Sequence, residues 1–365
     1  MRKFLAAVST VTLLLNTSSA FSEEERKVEI GGDTVIYYQG TKDVNGSGYV
    51  ADITLSFKPR ENGELFLRLH AGEGSGADSI EAFANLNTFA DDNPENEATF
   101  KLLEAYYKEE FLDGKLKIAV GKTEPPVFID DNEYANDEYS QFVGKPFVNN
   151  PIIDGEFQFA PIVSASLLIG NLEFTALVQS NEQKKNLVYK NGEWTVEEKD
   201  LYSDMFKNPF WAVQVKFSRN GGNYRLYYWE DLADHIKVGE DTTNPVQEPS
   251  VDKSFGVGVS FDQEIFENFG IFGRAAFAND VYEVKKFVSL GVSSNIKDDT
   301  LAFGWAALFP NKKLENNKTE HHFEGYYRKK VGKDFYITPD IQYIINPNGK
   351  DSDVLIGMVK AEISF

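Results

Sequence analysis

From residue 34 to the end of the chain, apolar side chains recur at every second position in short segments separated by polar or glycine-rich links. In Glu64–His70, Leu65, Leu67 and Leu69 point one way, and Phe66, Arg68 and His70 the other. In Val354–Phe365 the apolar set is Leu355, Gly357, Val359, Ala361, Ile363 and Phe365, opposite Lys360, Glu362 and Ser364. A period of two is the period of a strand with one face in an apolar medium. The pattern predicts sixteen strands, near 34–40, 50–57, 64–72, 102–110, 115–122, 162–170, 172–179, 209–218, 222–230, 254–262, 268–278, 286–295, 299–309, 320–330, 333–344 and 353–365.

The links sort by parity. Even-numbered links are short: 58–63, 112–114, 170–171, 219–221, 263–267, 297–298 and 331–332. Odd-numbered links are generally longer and include 73–101, 123–161, 180–208 and 231–253. An even-stranded transmembrane barrel has short turns at its periplasmic end and long loops outside, whereas a two-sheet sandwich has no reason to sort its links this way. The expected fold is all-β: a transmembrane antiparallel up-and-down β-barrel of sixteen strands, with long extracellular loops partly folded into the lumen.

Composition extends this picture. Met1, Arg2 and Lys3 precede the apolar run Phe4–Leu15 and the small residues Ser18, Ser19 and Ala20. That is the layout of a cleavable export signal, too short to span a bilayer as a helix. The expected organisation is a signal peptide over 1–20 and a single barrel domain over 21–365. Mean hydropathy is −0.37, and beyond the leader no apolar stretch reaches helix-spanning length. Twenty-nine Phe and seventeen Tyr against three Met supply the aromatics for two interfacial girdles, with Tyr49, Phe57, Trp211, Phe217, Tyr224, Tyr228, Phe261, Phe309, Phe323 and Tyr343 as candidates. Zero Cys excludes a disulfide framework and any thiolate-held cluster. A net charge of −20 argues against a nucleic-acid partner. The acidic runs Glu23–Glu25, Asp91–Glu97 and Asp130–Glu138 read as solvated loop surface.

Sixteen strands enclose more space than side chains fill, so the interior is expected to be wet. The inward set is Asp52, Arg68, His70, Glu104, Lys108, Lys117, Lys216, Arg225, Arg274, Glu324, Arg328, Asp340, Lys360 and Glu362, none of which a dry core tolerates unpaired. Tyr106, Tyr227, Trp229 and Tyr326 offer inward stacking faces. The segments 73–101 and 123–161 exceed ordinary loop length and are candidates for narrowing the lumen. Within the first, Ile80, Phe83 and Leu86 recur at near-helical spacing behind Ser79, which predicts a short capped helix. Catalytic motifs are missing: the four histidines (His70, His235, His321 and His322) form no His-Glu-x-x-His pair, and there is no Gly-x-Ser-x-Gly elbow or phosphate loop. Asp130–Glu138 lacks the glycine and glutamate spacing of a calcium loop. Neither an enzyme nor a bound cofactor or metal is expected.

The stretch Phe323–Gly349 carries Glu324, Tyr327 and Arg328, then Pro339, Asp340, Gln342 and Tyr343, then Asn346 and Pro347. This order resembles the last hairpin of the carbohydrate-selective porin family (OprB type). A second similar stretch has Gly121, Lys122, Asp130, Asn132, Tyr134, Ala135, Asn136, Gln141 and Phe142. The resemblance implies a sixteen-stranded channel in the outer membrane of a Gram-negative envelope, with inward loops, passing small sugars; the alternative is a general porin for small hydrophilic solutes. The substrate path is expected along Arg68, Glu104, Lys108, Arg225, Arg274, Glu324, Arg328, Asp340 and Gln342, whose mixed charges predict a transverse field without strong ion preference. Pro339 is expected at a bulge or edge. Expected partners are small sugars or other polar solutes, outer-membrane lipids, and the barrel-assembly machinery through Phe365; a homo-oligomer remains open.

Overall fold

A computed structural model of the chain describes residues 28–74, 77, 80–90, 98–153, 159–181, 183–198 and 200–365. The expected leader, Ser79 and the acidic runs Glu23–Glu25 and Asp91–Glu97 lie outside the described residues. The strands, in chain order, are β1 (Val28–Gly40), β2 (Asn45–Arg60), β3 (Gly63–Gly74), β4 (Thr99–Phe111), β5 (Leu116–Thr123), β6 (Ala160–Ile169), β7 (Leu172–Gln179), β8 (Gln183–Lys190), β9 (Glu193–Glu198), β10 (Phe210–Arg219), β11 (Gly222–Ile236), β12 (Val251–Phe266), β13 (Phe269–Ala278), β14 (Val284–Ile296), β15 (Asp299–Pro310), β16 (Glu320–Gly332), β17 (Phe335–Ile345) and β18 (Asp353–Ser364). All except β8 and β9 form one closed antiparallel barrel of sixteen strands, each paired with its neighbours in sequence and β1 with β18. All sixteen predicted strands are present, most of them longer than predicted. The β8–β9 hairpin inside the 180–208 link was not anticipated.

Local chemistry sets the short turns. Between β10 and β11, Asn220 and Gly221 both take left-handed backbone (φ 52° and 73°), the requirement of the tight hairpin turn whose twist matches the flanking strands. At the seam, Gly32 and Phe365 exchange backbone hydrogen bonds of 3.1 and 3.0 Å beyond the β1–β18 ladder, which pairs Asp33 with Ser364 through Gly40 with Gly357. Pro339 sits in a fully registered β17–β18 ladder, and the β16–β17 register is the same on either side of it. It therefore lies at neither a bulge nor an edge; the β16–β17 pairing skips Thr338 and Pro339 and resumes in the same register, the local cost of the missing N–H.

Outward side chains such as Ile36, Val120, Phe174, Leu226, Val257, Val259, Leu290, Phe303, Ile341, Leu355 and Val359 are exposed around the circumference. An apolar surface of that extent needs a hydrocarbon solvent, and in hydrocarbon only a closed sheet satisfies every backbone group. The candidate girdle aromatics share the outward parity; Phe217 and Tyr224 neighbour each other across the β10–β11 pair, as do Trp211 and Tyr228.

Two segments between strands enter the barrel. Residues 80–90, between β3 and β4, place Phe83 and Ala84 N–H on the inward Glu320 carboxylate at 2.8 and 3.4 Å. The predicted helix does not form among the described residues there. Only a single 3-10 turn, Thr88–Ala90, is present, because the apolar side chains are fixed by packing on the wall and the N–H groups by Glu320 rather than by a helical ladder. Residues 124–153, between β5 and β6, form a longer inward segment with a 3-10 turn at Pro125–Val127 and one α-helical turn at Lys145–Val148. The two touch: Thr88 N–H donates to Val143 and Lys145 N–H to Asn85 (3.1 and 3.0 Å).

Candidate permeation pathway

The long inward segment gives the barrel interior a packed, dry side and a wet side, and a further cavity of about 580 Å³ opens by the short turns of β10–β14, lined by Glu133, Asn223, Asp262 and Ser293. On the dry side its apolar residues Ile129, Phe142, Phe147, Ile152 and Ile153 pack against Tyr227, Trp229, Phe272, Phe287 and Tyr326 of β11–β16 as one buried cluster. Phe142 lies 4.9 Å from Phe147, 5.4 Å from Phe272 and 5.0 Å from Tyr326 between ring centres. Gly256 and Gly258 on β12 let the rings of Trp229 and Tyr227 lie flat on the wall; a Cβ at either position would come within 2.3 Å of the ring.

Charged groups from the C-terminal strands pin this segment. Arg274, fully buried, donates to the carbonyls of Ala135 and Phe147 (2.6 Å each) and Asp130 (2.9 Å), to Asn136 Oδ1 (3.0 Å), and pairs with the Asp130 carboxylate (3.2 Å). Glu324 accepts the N–H groups of Val143 and Gly144 at 2.6 and 2.9 Å. Lys360 donates to the carbonyls of Glu138 and Gln141 at 2.6 and 3.0 Å. Arg225 pairs with Asp262 (2.6 Å) and Asp131, and Lys216 with Asp131 (3.2 Å). Irregular backbone inside a barrel must find such partners.

The acidic run Asp130–Glu138 is thus an internal element, correcting its reading as solvated surface. Asp130 and Asn132 are buried, and Asp131 is held ionised, below the usual carboxylate range: burial acts to raise it, and Arg225 and Lys216 outweigh burial. No group of three or more His, Cys, Asp or Glu side chains that could hold a metal occurs among the described residues.

On the wet side, a cavity of about 870 Å³ opens between the inner wall of β1–β4 and residues 124–149 of the inward segment. A β-bulge at Leu103 resets the β3–β4 register so that Glu104 stands opposite Arg68. Arg68 pairs with Asp52 (2.7 Å) and Glu104 (3.2 Å), and Asp52 also bonds His70 (2.8 Å). A smaller cavity of about 250 Å³, which shares Val127 with the first, is lined by Tyr106, Lys108, Lys117, Phe128, Glu173 and Lys216. Phe66, Tyr106 and Phe128 form a row of rings along this route, with centres 5.2 and 6.4 Å apart.

The residues expected along one path therefore separate. Arg68 and Glu104 line the larger cavity and Lys108 the smaller. Arg225, Arg274 and Glu324 lie beneath the inward segment as its anchors, and Asp340 and Gln342 are buried on the same wall. Arg328 pairs with Glu362 (2.6 and 2.8 Å) and stacks on Tyr336, lining neither cavity. Among the expected stacking faces only Tyr106 meets open space; Tyr227, Trp229 and Tyr326 are covered. Missed by sequence reasoning were Phe66, Phe128, Glu138 and Lys145 of the cavity walls.

A sixteen-stranded barrel with an inward segment is the architecture of porins, and a family model described as "Carbohydrate-selective porin, OprB family" matches residues 66–365. The chain belongs to the OprB family of porins. A structure of Pseudomonas putida OprB at high pH superposes on this OprB-family porin with a TM-score of 0.75 at 16% identity, over 93% of this chain and 94% of that one. A Vibrio cholerae OmpT lacking loop L8 gives 0.58 at 11% identity (93% and 99%), and Salmonella typhi OmpF 0.56 at 10% (93% and 97%). At these identities the likeness concerns fold. A protein of Aquifex aeolicus described as uncharacterised is 27% identical over 243 residues, which are 66% of this chain and 63% of that protein's length. Family and fold together are those of an outer-membrane channel.

Proposed function

We propose that this porin passes small sugars by passive diffusion, along the cavity between β1–β4 and the inward segment and out past Tyr106 and Lys108. The observation that carries the reading is the row Phe66, Tyr106, Phe128 beside the linked charges Asp52, Arg68 and Glu104. A pyranose presents an apolar C–H face and a rim of hydroxyls; rings take the face, and fixed carboxylates and guanidinium take the rim. Facilitated diffusion needs several weak sites in sequence rather than one tight one, and a row of three rings supplies them. In the same reading the 1–20 leader directs export, and Phe365, at the seam, is the element recognised during barrel assembly.

Liposome swelling with a panel of sugars, polyols and amino acids of matched size tests the proposal. Sugars are expected to enter faster than size-matched non-sugars and to block single-channel current reversibly. Phe66→Ala with Tyr106→Ala is expected to weaken sugar block several-fold while KCl conductance persists. Entry that tracks size alone would leave a general porin instead.

A further inference from the structure

We infer that the passage is also a charge filter, admitting neutral and cationic polyhydroxylated solutes and holding back anionic ones such as sugar acids and sugar phosphates. This rests on the sugar-channel reading and narrows its substrate class. The sequence gives mixed charges on the inner wall, which alone would leave ion preference balanced. The fold redistributes them. Arg225, Arg274 and Lys360 are drawn beneath the inward segment, where carbonyls and Asp130, Asp131 and Asp262 engage them. The carboxylates left facing the larger cavity are Asp33, Asp52, Glu104, Glu124, Asp137 and Glu138, against two cations, Arg68 and Lys145. Of these two, Arg68 is shared between Asp52 and Glu104.

The lysines further along do not reverse the sign for an entering anion. Lys108 is 2.8 Å from Glu64, Lys216 is 3.2 Å from Asp131, and Lys117 is 3.9 Å from Glu110. An anion thus crosses a surplus of like charge before it meets lysines that already have partners. The walls are low-dielectric protein and the passage is narrow, the arrangement in which field lines are focused and local ion concentrations change by about tenfold or more. Screening extends over about 10 Å at 0.1 M salt and about 3 Å at 1 M, so the filter is expected to weaken as salt rises.

The test uses the full mature chain in liposomes and planar bilayers, with glucose, glucosamine and gluconate as probes. At about 0.1 M salt, gluconate is expected to enter about tenfold more slowly than glucose, and glucosamine at least as fast; KCl gradients should give cation-preferring reversal potentials. At 1 M salt both differences should shrink. The double variant Glu124→Gln, Glu138→Gln leaves the anchors of the inward segment in place and is expected to bring the gluconate-to-glucose ratio several-fold closer to one. Equal entry of gluconate and glucose in the unmodified protein at low salt, or an anion-preferring reversal potential, overturns the inference. Cation preference without entry of any sugar would instead sink the sugar reading and leave the filter standing.

Discussion

Arg274 makes five polar contacts to the inward segment with one guanidinium, three of them to backbone carbonyls that water does not reach and two to the side chains of Asp130 and Asn136. Alternation along β13 says that this side chain points inward, but says nothing of what covers it there. Removing one partner of a buried ion pair costs about 3–5 kcal/mol, so Arg274→Ala is expected to loosen the segment: a lower melting temperature and a larger, noisier single-channel conductance. A pure shift in ion preference at unchanged conductance would instead place Arg274 in the open path. Glu138 is the contrasting case. Burial, and then the neighbouring Asp137, push its carboxyl up to about 7, against the pull of Arg68 and Lys145. Asp33, Asp52, Glu104 and Glu124 share its cavity. It is protonated below that pH and ionised above, so cation preference is expected to rise between pH 6 and 8, and Glu138→Gln should flatten that rise in reversal-potential measurements.

At the scale of elements, strands were legible because lipid and interior impose opposite demands on alternate positions. The inward segment was legible only as a loop of unusual length, 123–161; its path and contacts were not, since irregular backbone has no period. One trace of it does exist in the strands. In β15 both faces turn apolar, with Ala302 and Leu308 inward beside outward Leu301 and Phe303, and in β13 they do so apart from the single inward Arg274, with Phe272 and Ala276 inward beside outward Ile271 and Phe277. A strand apolar on both faces is covered on both, and only a plug can cover the inside of a barrel. By contrast β3 and β4 keep charged inner faces and border the water. The near-helical spacing in 80–90 misled because three apolar residues fit a wall as well as a helix. Glu320→Ala removes the acceptor of Phe83 and Ala84, and is expected to free that segment, read as faster protease cleavage within it while β16 stays intact. Lipid contact is checked by a pair of lysine substitutions: Val259→Lys, near the bilayer midplane, should cost about 2–4 kcal/mol in folding into liposomes, whereas Thr54→Lys, on the inner face of β2 and lining the larger cavity, should alter conductance first.

The whole molecule combines two interiors in one wall. The N-terminal strands β1–β5 border a wet passage, and β11–β16 carry most of a packed core of the kind found in soluble domains. Length, strand count and link parity were enough to place the chain among closed barrels. Which half stays open depends on contacts more than a hundred residues apart, such as Arg274 to Asp130 and Glu324 to Val143, and no local pattern encodes these. The seam between β1 and β18 carries a similar long-range dependence. Gly32 and Phe365 stand at opposite ends of the described chain, yet each supplies the other's last hydrogen bond. A cylinder whose opening stave is fastened to its closing one cannot be shut by a chain still under construction. Until β18 pairs with β1, the sheet keeps two open edges beside an oily flank, the arrangement most prone to pairing with another chain.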